Sequence, residues 1–212
     1  DFIKQLQEDG ITVDVLNLGG GFGVHYTEED PKYNVGEYCD YVKLLTQTLS
    51  DCVERKKIKK PVFIIEPGRA IVGEAGVTLY SVGAIKDIEG VRKYVAIDGG
   101  MTDNIRPALY EAKYEAVLAN RANDKPEEVV TIAGKCCESG DIIIKDIKLP
   151  KAKRGDLLAV FTTGAYCYSM ASNYNRNVIP PVVFVRGGKS GYAVRPQTYE
   201  DLARLDVIPD TE

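Results

Sequence analysis

The chain has one histidine, His25, and no Cys-x-x-Cys among its five cysteines. With one imidazole and no spaced thiol pair, a protein-ligated metal centre is not expected. An odd set of unpatterned cysteines points to reduced thiols in a cytoplasmic protein. Basic charge is short as well. Against 31 Asp and Glu stand 27 Lys and Arg, a net charge of -4. No basic stripe exists to neutralise phosphates, so nucleic acid is not the expected partner. The one basic run, Arg55-Lys56-Lys57-Ile58-Lys59-Lys60, reads as a solvated helix end. No apolar run approaches the roughly twenty residues that cross a bilayer, and the first residues lack a signal-peptide pattern. The 212 residues suffice for one large domain or two small ones.

What is there begins with Asp1 to Gly10, which reads as the last turns of an amphipathic helix stopped by Gly10. It has no N-cap and no strand before it, so the sequence reads as starting inside an α/β repeat. Val13 to Leu18 then reads as a buried strand. Gly19-Gly20-Gly21-Phe22-Gly23 follows directly. Consecutive glycines let several backbone N–H groups converge on one anion. The dinucleotide fingerprint fails, because Val24 stands where its last glycine belongs, and no Gly-Lys-Ser/Thr follows for a P-loop. A phosphate site and a tight turn both remain open, and His25 reads as a loop histidine. Glu37 to about Lys57 carries apolar residues at helical period. Val62 to Ile65 is a second buried strand, ending in Glu66-Pro67-Gly68-Arg69. A carboxylate and a guanidinium at a strand's C-terminal end suit the active face of a β/α barrel, although a structural ion pair would look the same.

From Ala70 the character changes to strands without long helices between them: Val77–Ala84, Lys93–Asp98, Val129–Ala133, Ile142–Ile144, Asp156–Phe161, Val182–Val185 and Tyr192–Val194. The expectation is an antiparallel barrel or sandwich over residues 70–212, after two β/α elements in residues 1–69. Thr198, with Asp201 three residues on, opens a short terminal helix. Polar residues gather in Asp98–Tyr110, in Gly134–Asp141 and in Thr162–Asn175. The second of these sets a thiol, two carboxylates and a hydroxyl on one loop before a strand.

Five motifs occur in order: Gly19-Gly20-Gly21, Glu66-Pro67-Gly68-Arg69, Ile105-Arg106-Pro107-Ala108-Leu109-Tyr110, Cys137-Glu138-Ser139-Gly140-Asp141 and Gly164-Ala165-Tyr166. This order closely resembles the diaminopimelate decarboxylase family, pyridoxal-phosphate enzymes built from a β/α barrel and a C-terminal β domain. The resemblance runs to the Thr198-Tyr199-Glu200-Asp201-Leu202 ending. It implies that residues 1–69 are the last two β/α elements of a TIM-like barrel. The chain would then be truncated, lacking roughly the first half, and this piece alone would be inactive. No lysine here stands in the context of the one that attaches the cofactor; Lys86 and Lys145 lie in the β domain.

The resemblance also implies roles. Gly19, Gly20, Gly21 and Gly68 would bind the cofactor phosphate, with Arg69 and Tyr166 beside it. Glu66 would be the anion at the ring nitrogen. Arg69 and Arg106 would clamp substrate carboxylates, since guanidinium pairs bidentately with them. Tyr110 and Tyr166 would add hydrogen bonds, and Glu138 would pair with the distal ammonium of meso-diaminopimelate. Cys137 would return a proton to Cα, because an ordinary thiol is still protonated at neutral pH. Cys136 would point the other way on an extended loop and be structural. In the family the Cys-Glu-Ser loop serves the partner's cofactor, so a homodimer with shared active sites is implied. Relatives acting on ornithine, arginine or carboxynorspermidine, and a non-catalytic dimerisation module, are the competing readings. A nucleotide-binding domain built on the glycine loop is disfavoured by the failed fingerprint.

Overall fold

The computed structural model describes residues 1–209. The chain forms two compact units, one of Asp1–Ile71 and one beginning at Val72. In the first, helix α1 (Phe2–Glu8) ends at Asp9, and Gly10 turns the chain with φ +82°. Strand β1 (Val15–Asn17) pairs in parallel with β2 (Val62–Ile64), Leu16 opposite Phe63. Parallel neighbours need a long crossover, and α2 (Val35–Lys56) supplies it. A capping box sets its start: Glu37 N–H donates to Asn34 Oδ1 at 3.1 Å, and Asn34 N–H donates to Glu37 Oε2 at 2.7 Å. Left-handed Lys57 ends it. The helix lies against the glycine-rich loop. Phe22 is buried with the rings of Tyr38 and Tyr41 edge-on to it, and the Tyr38 hydroxyl donates to the Gly23 carbonyl at 2.7 Å.

The two strands are not buried as expected. Val15 is 52% exposed and Val62 64%. Among the described residues of this unit the parallel pair has no third strand, so its outer faces stay uncovered. A short helix α3 (Arg69–Val72) runs on from β2.

The second unit is a six-stranded sheet. Its strands are β3 (Thr78–Ile88), β4 (Arg92–Ile97), β5 (Ala116–Leu118), β6 (Glu128–Ala133), β7 (Ile142–Leu149) and β8 (Leu157–Val160), in the order β5-β8-β3-β4-β6-β7. The end strands β5 and β7 come into contact, so the sheet curls almost to closure. The expectation of an antiparallel sheet is corrected here: β4 and β6 run parallel, Val95 opposite Ile132. The physical reason is the connection between them. It carries helix α4 (Arg106–Tyr110) and β5, which leaves to join the far end of the sheet, so the chain returns beside β4 in the same direction. Val95, Leu118, Ile132, Leu158 and Val160 fill the core. The hairpin β9 (Val182–Arg186) and β10 (Lys189–Val194) is a separate two-stranded sheet. Its turn, Gly187-Gly188, has positive φ at both residues, as a two-residue hairpin turn requires. Helix α5 (Tyr199–Ala203) starts on the Thr198–Asp201 capping box.

One buried carboxylate gives this unit an acid sensitivity. Asp156 accepts from Asn120 Nδ2 at 3.0 Å, Lys153 N–H at 2.9 Å and Arg121 Nη1 at 3.2 Å. Burial works against its charge, but these donors outweigh burial and hold its carboxyl below the usual range. The folded-state value is depressed, so the stabilisation is complete above the unfolded carboxyl value of about 4. It is lost as pH falls through the folded value. Urea unfolding should therefore show a stability gap between the native chain and Asp156→Asn at pH 7 that narrows at pH 3. A gap of equal size at both would contradict this assignment.

Candidate active site

In the first unit, parallel pairing sends the loops after β1 and β2 out from the same end, and backbone bonds stitch them together. Leu18 N–H donates to the Ile64 carbonyl at 2.8 Å and Glu66 N–H to the Gly19 carbonyl at 2.7 Å. Gly19 and Gly21 have φ of +71° and +83°, and a Cβ on Gly20 would lie 2.5 Å from the Glu66 carbonyl oxygen. Side chains are thus excluded from three successive positions for backbone reasons. Asn17, which sequence reasoning missed, ties the two loops through its amide. Its Oδ1 accepts from Gly19 N–H at 2.8 Å, and its Nδ2 donates to Glu66 Oε1 at 2.6 Å. Its place as the last strand residue before a glycine run was the one local hint. Gly68 also has positive φ, +32°. The structural ion pair does not form: Arg69 lies over the Tyr26 ring, 5.7 Å from its centroid, and among the described residues it makes no bridge to Glu66. The His25 ring faces the Asp30 carbonyl, Nδ1 to O 3.0 Å.

The second unit holds the other residues. Arg106 opens α4 and is only 7% exposed. Left-handed Glu111 ends that helix and turns the chain back, so that Tyr114 meets Arg106. Arg106 Nη1 donates to the Tyr114 hydroxyl at 2.8 Å, and the guanidinium lies 5.9 Å from the Tyr166 ring centroid. The Tyr114 phenol is pushed well up by burial and by neighbouring Cys167, so it stays neutral. Its oxygen is 3.6 Å from Cys167 Sγ. Burial raises the Cys167 thiol too. Tyr166 has φ +62°, unusual for a side chain of this size and a form of strain that gathers at functional sites. Tyr110, on the same helix as Arg106, is exposed.

Cys137 and Glu138 are exposed on the loop between β6 and β7. That loop is bent rather than extended, so the condition for Cys136 to point the other way is not met: Glu138 N–H donates to the Cys136 carbonyl at 2.8 Å. Cys136 is half-buried and accepts from Asn177 Nδ2 at 3.7 Å. Burial and then Asp141 raise its thiol. Two groupings result. Gly19–Gly21 join Glu66 in the first unit, and Arg106 joins Tyr166 in the second. Tyr114 was not legible in the sequence, since nothing local marks a tyrosine that meets an arginine eight residues away. Among the described residues there is no cluster of three metal-ligating side chains, and no helix is long and apolar enough to cross a membrane.

Comparison with known proteins bears on this arrangement. The family model described as "Pyridoxal-dependent decarboxylase, C-terminal sheet domain" matches residues 13–164. A diaminopimelate decarboxylase of Bacillus subtilis is 56% identical over 193 residues, covering 91% of this chain and 43% of that protein. One of Staphylococcus aureus is 52% identical over 211 residues, covering 99% and 48%. Among solved structures, diaminopimelate decarboxylase from M. jannaschii in co-complex with L-lysine superposes with a TM-score of 0.85 at 37% identity, covering 99% of this chain and 46% of that one. The chain therefore spans a little under half the length of these relatives.

Proposed function

Because the chain belongs to the pyridoxal-dependent decarboxylase family, we propose that it carries the C-terminal portion of a diaminopimelate decarboxylase. The whole protein would release carbon dioxide from meso-2,6-diaminopimelate and leave L-lysine. The observation that carries the reading is the buried Arg106, held by Tyr114 beside Tyr166, in the unit that also bears Cys137 and Glu138. A fixed guanidinium suits a substrate carboxylate, and Glu138 suits an ammonium. A substrate with an amino-acid head at its far end needs both. A purely basic tail would leave Arg106 facing like charge.

The first unit fits pyridoxal phosphate. In the Gly19–Gly21 run, Gly20 and Gly21 would offer backbone N–H groups to a phosphate, while Gly19 shapes the turn with its own N–H held by Asn17 Oδ1 and a Cβ on Gly20 would strike the Glu66 carbonyl oxygen. Asn17 holds the Glu66 carboxylate as the anion for the ring nitrogen. Gly68 and Arg69 extend the phosphate contacts of this unit. When bound, the cofactor supplies the electron sink that lets the Cα–carboxylate bond break. Arg69 and Arg106 clamp carboxylates, Tyr110 adds a hydrogen bond, and Glu138 holds the distal ammonium. The Cys137 thiol gives its proton to Cα once carbon dioxide has left. We assign the cofactor-attachment lysine to no residue of this chain, and we read β1–α2–β2 as β/α units of a barrel. A homodimer, with Cys137 and Glu138 acting at the partner's cofactor, and a cytoplasmic location belong to the same proposal.

The test is carbon dioxide release in the presence of pyridoxal phosphate. It compares this chain alone with the chain joined to the N-terminal half of the Bacillus subtilis relative. Selective turnover of meso-diaminopimelate over ornithine, arginine and carboxynorspermidine by the joined protein, with silence from the chain alone, is the expected result. Preference for another amine would remove the roles given to Arg106, Tyr110 and Glu138. In the joined protein, Tyr114→Phe should raise KM about tenfold with little change in kcat, the value of one hydrogen bond to a charged group. An unchanged KM would show that Tyr114 does not position Arg106.

A further inference from the structure

We propose that Asp141 is the positioning residue for Cys137, fixing the loop that bears it to the loop that leads into Arg106. The proposal deepens the reading above and rests on its assignment of Cys137 as proton donor. Asp141 is 3% exposed, yet it lies among backbone donors. Its Oδ1 accepts from Met101 N–H at 2.6 Å and its Oδ2 from Cys136 N–H at 2.7 Å. Two further bonds run alongside: Gly134 N–H donates to the Asp141 carbonyl at 2.8 Å, and Lys135 N–H donates to the Gly99 carbonyl at 3.0 Å. One buried carboxylate thus joins the Gly99–Met101 turn to Cys136, the residue immediately before the proposed acid.

The surroundings are shaped to this group. A Cβ on Gly134 would lie 2.2 Å from an Asp141 carboxylate oxygen, and one on Gly100 would lie 2.6 Å away. Gly100 and Gly134 are therefore explained by the carboxylate between them. Its chemistry is specified as well. Both oxygens face N–H donors, so the isosteric amide would satisfy one and set its own N–H against the other. Such a mismatch is costly in a buried place. Cys137 and Glu138 are exposed, and their loop is turned by the bond from Glu138 N–H to the Cys136 carbonyl. The placement of the Cys137 thiol therefore follows from where Cys136 is anchored. Proton delivery to carbon is sensitive to such placement, since a misplacement of about 1 Å can cost on the order of a hundredfold in rate.

Two measurements test this. The first needs no variant: hydrogen exchange of the native chain. Departure of one carboxylate frees both amides, so Met101 and Cys136 should show a common opening equilibrium after correction for intrinsic rates. Independent opening of the two amides would overturn the proposal, even if variants at this position fail to fold. The second is a double-mutant cycle in the decarboxylating joined protein. Asp141→Asn is expected to lower kcat at least tenfold with cofactor content unchanged. In a Cys137→Ala background the same substitution should lower kcat no further. A full additional loss in that background would mean that Asp141 acts on overall structure, and the proposal would fall while Cys137 kept its role. Undiminished turnover by Cys137→Ala alone would instead refute the assignment of Cys137, and with it the basis of the proposal.

Discussion

Replacing Cys137 by alanine should lower turnover of meso-diaminopimelate by about 10²–10⁴-fold, the usual worth of a positioned general acid. The thiol is assigned only the transfer of a proton to Cα, so the loss should fall on kcat and leave KM near its native value. Glu138→Gln separates the two residues on the same loop. Its carboxylate is assigned to the distal ammonium, so its loss should raise KM. Exposure of both side chains makes the comparison clean, because neither substitution opens a cavity in the core. Steady-state carbon dioxide release by the joined protein decides the matter. Native kcat in Cys137→Ala would end the role of this thiol as the acid, and a fall in kcat with unchanged KM for Glu138→Gln would end the ammonium assignment.

Gly164→Ala should be among the most destabilising substitutions in the second unit, by about 3 kcal/mol, at the upper end of what overpacking costs. Glycine is required there by a close approach of backbones. A Cβ on Gly164 would lie 1.8 Å from the Val72 carbonyl oxygen, and one on Gly76 would lie 2.2 Å from the Gly164 amide nitrogen. Two bonds draw these segments together: Thr163 N–H donates to the Gly76 carbonyl at 3.0 Å, and Gly164 N–H donates to the Gly73 carbonyl at 3.0 Å. Backbone cannot swing aside as a flexible side chain could, so the methyl must break these bonds. Tyr166, two residues on and already left-handed, should be displaced with them. Urea unfolding of the variant against the native chain measures the cost. A difference under about 0.5 kcal/mol, the range of an ordinary surface substitution, would show that the contact is not rigid.

Much of this protein was legible in its sequence. The helix α2 showed through its apolar period, and the strands of the second unit through their β-branched runs. The glycine run and the motifs around Glu66, Arg106, Cys137 and Tyr166 stood out because their chemistry is contiguous. These features are local, and a period or a turn residue is enough to reveal them. The long-range pairings were not legible in that way. Three-residue β5 is too short to show a period, and the parallel pairing of β4 with β6 depends on where the chain goes after α4. The exposure of Val15 and Val62 depends on how many strands share their sheet, which no residue in them records. Asn17, Tyr114 and Asp141 gain their importance from partners brought near by folding: Glu66, Arg106 and the amides of Met101 and Cys136. The sequence by itself determined which chemical groups stand ready and on what kind of element. The tertiary structure alone decided which of them meet, because closing a loop to bring two groups together depends on the packing of everything between them.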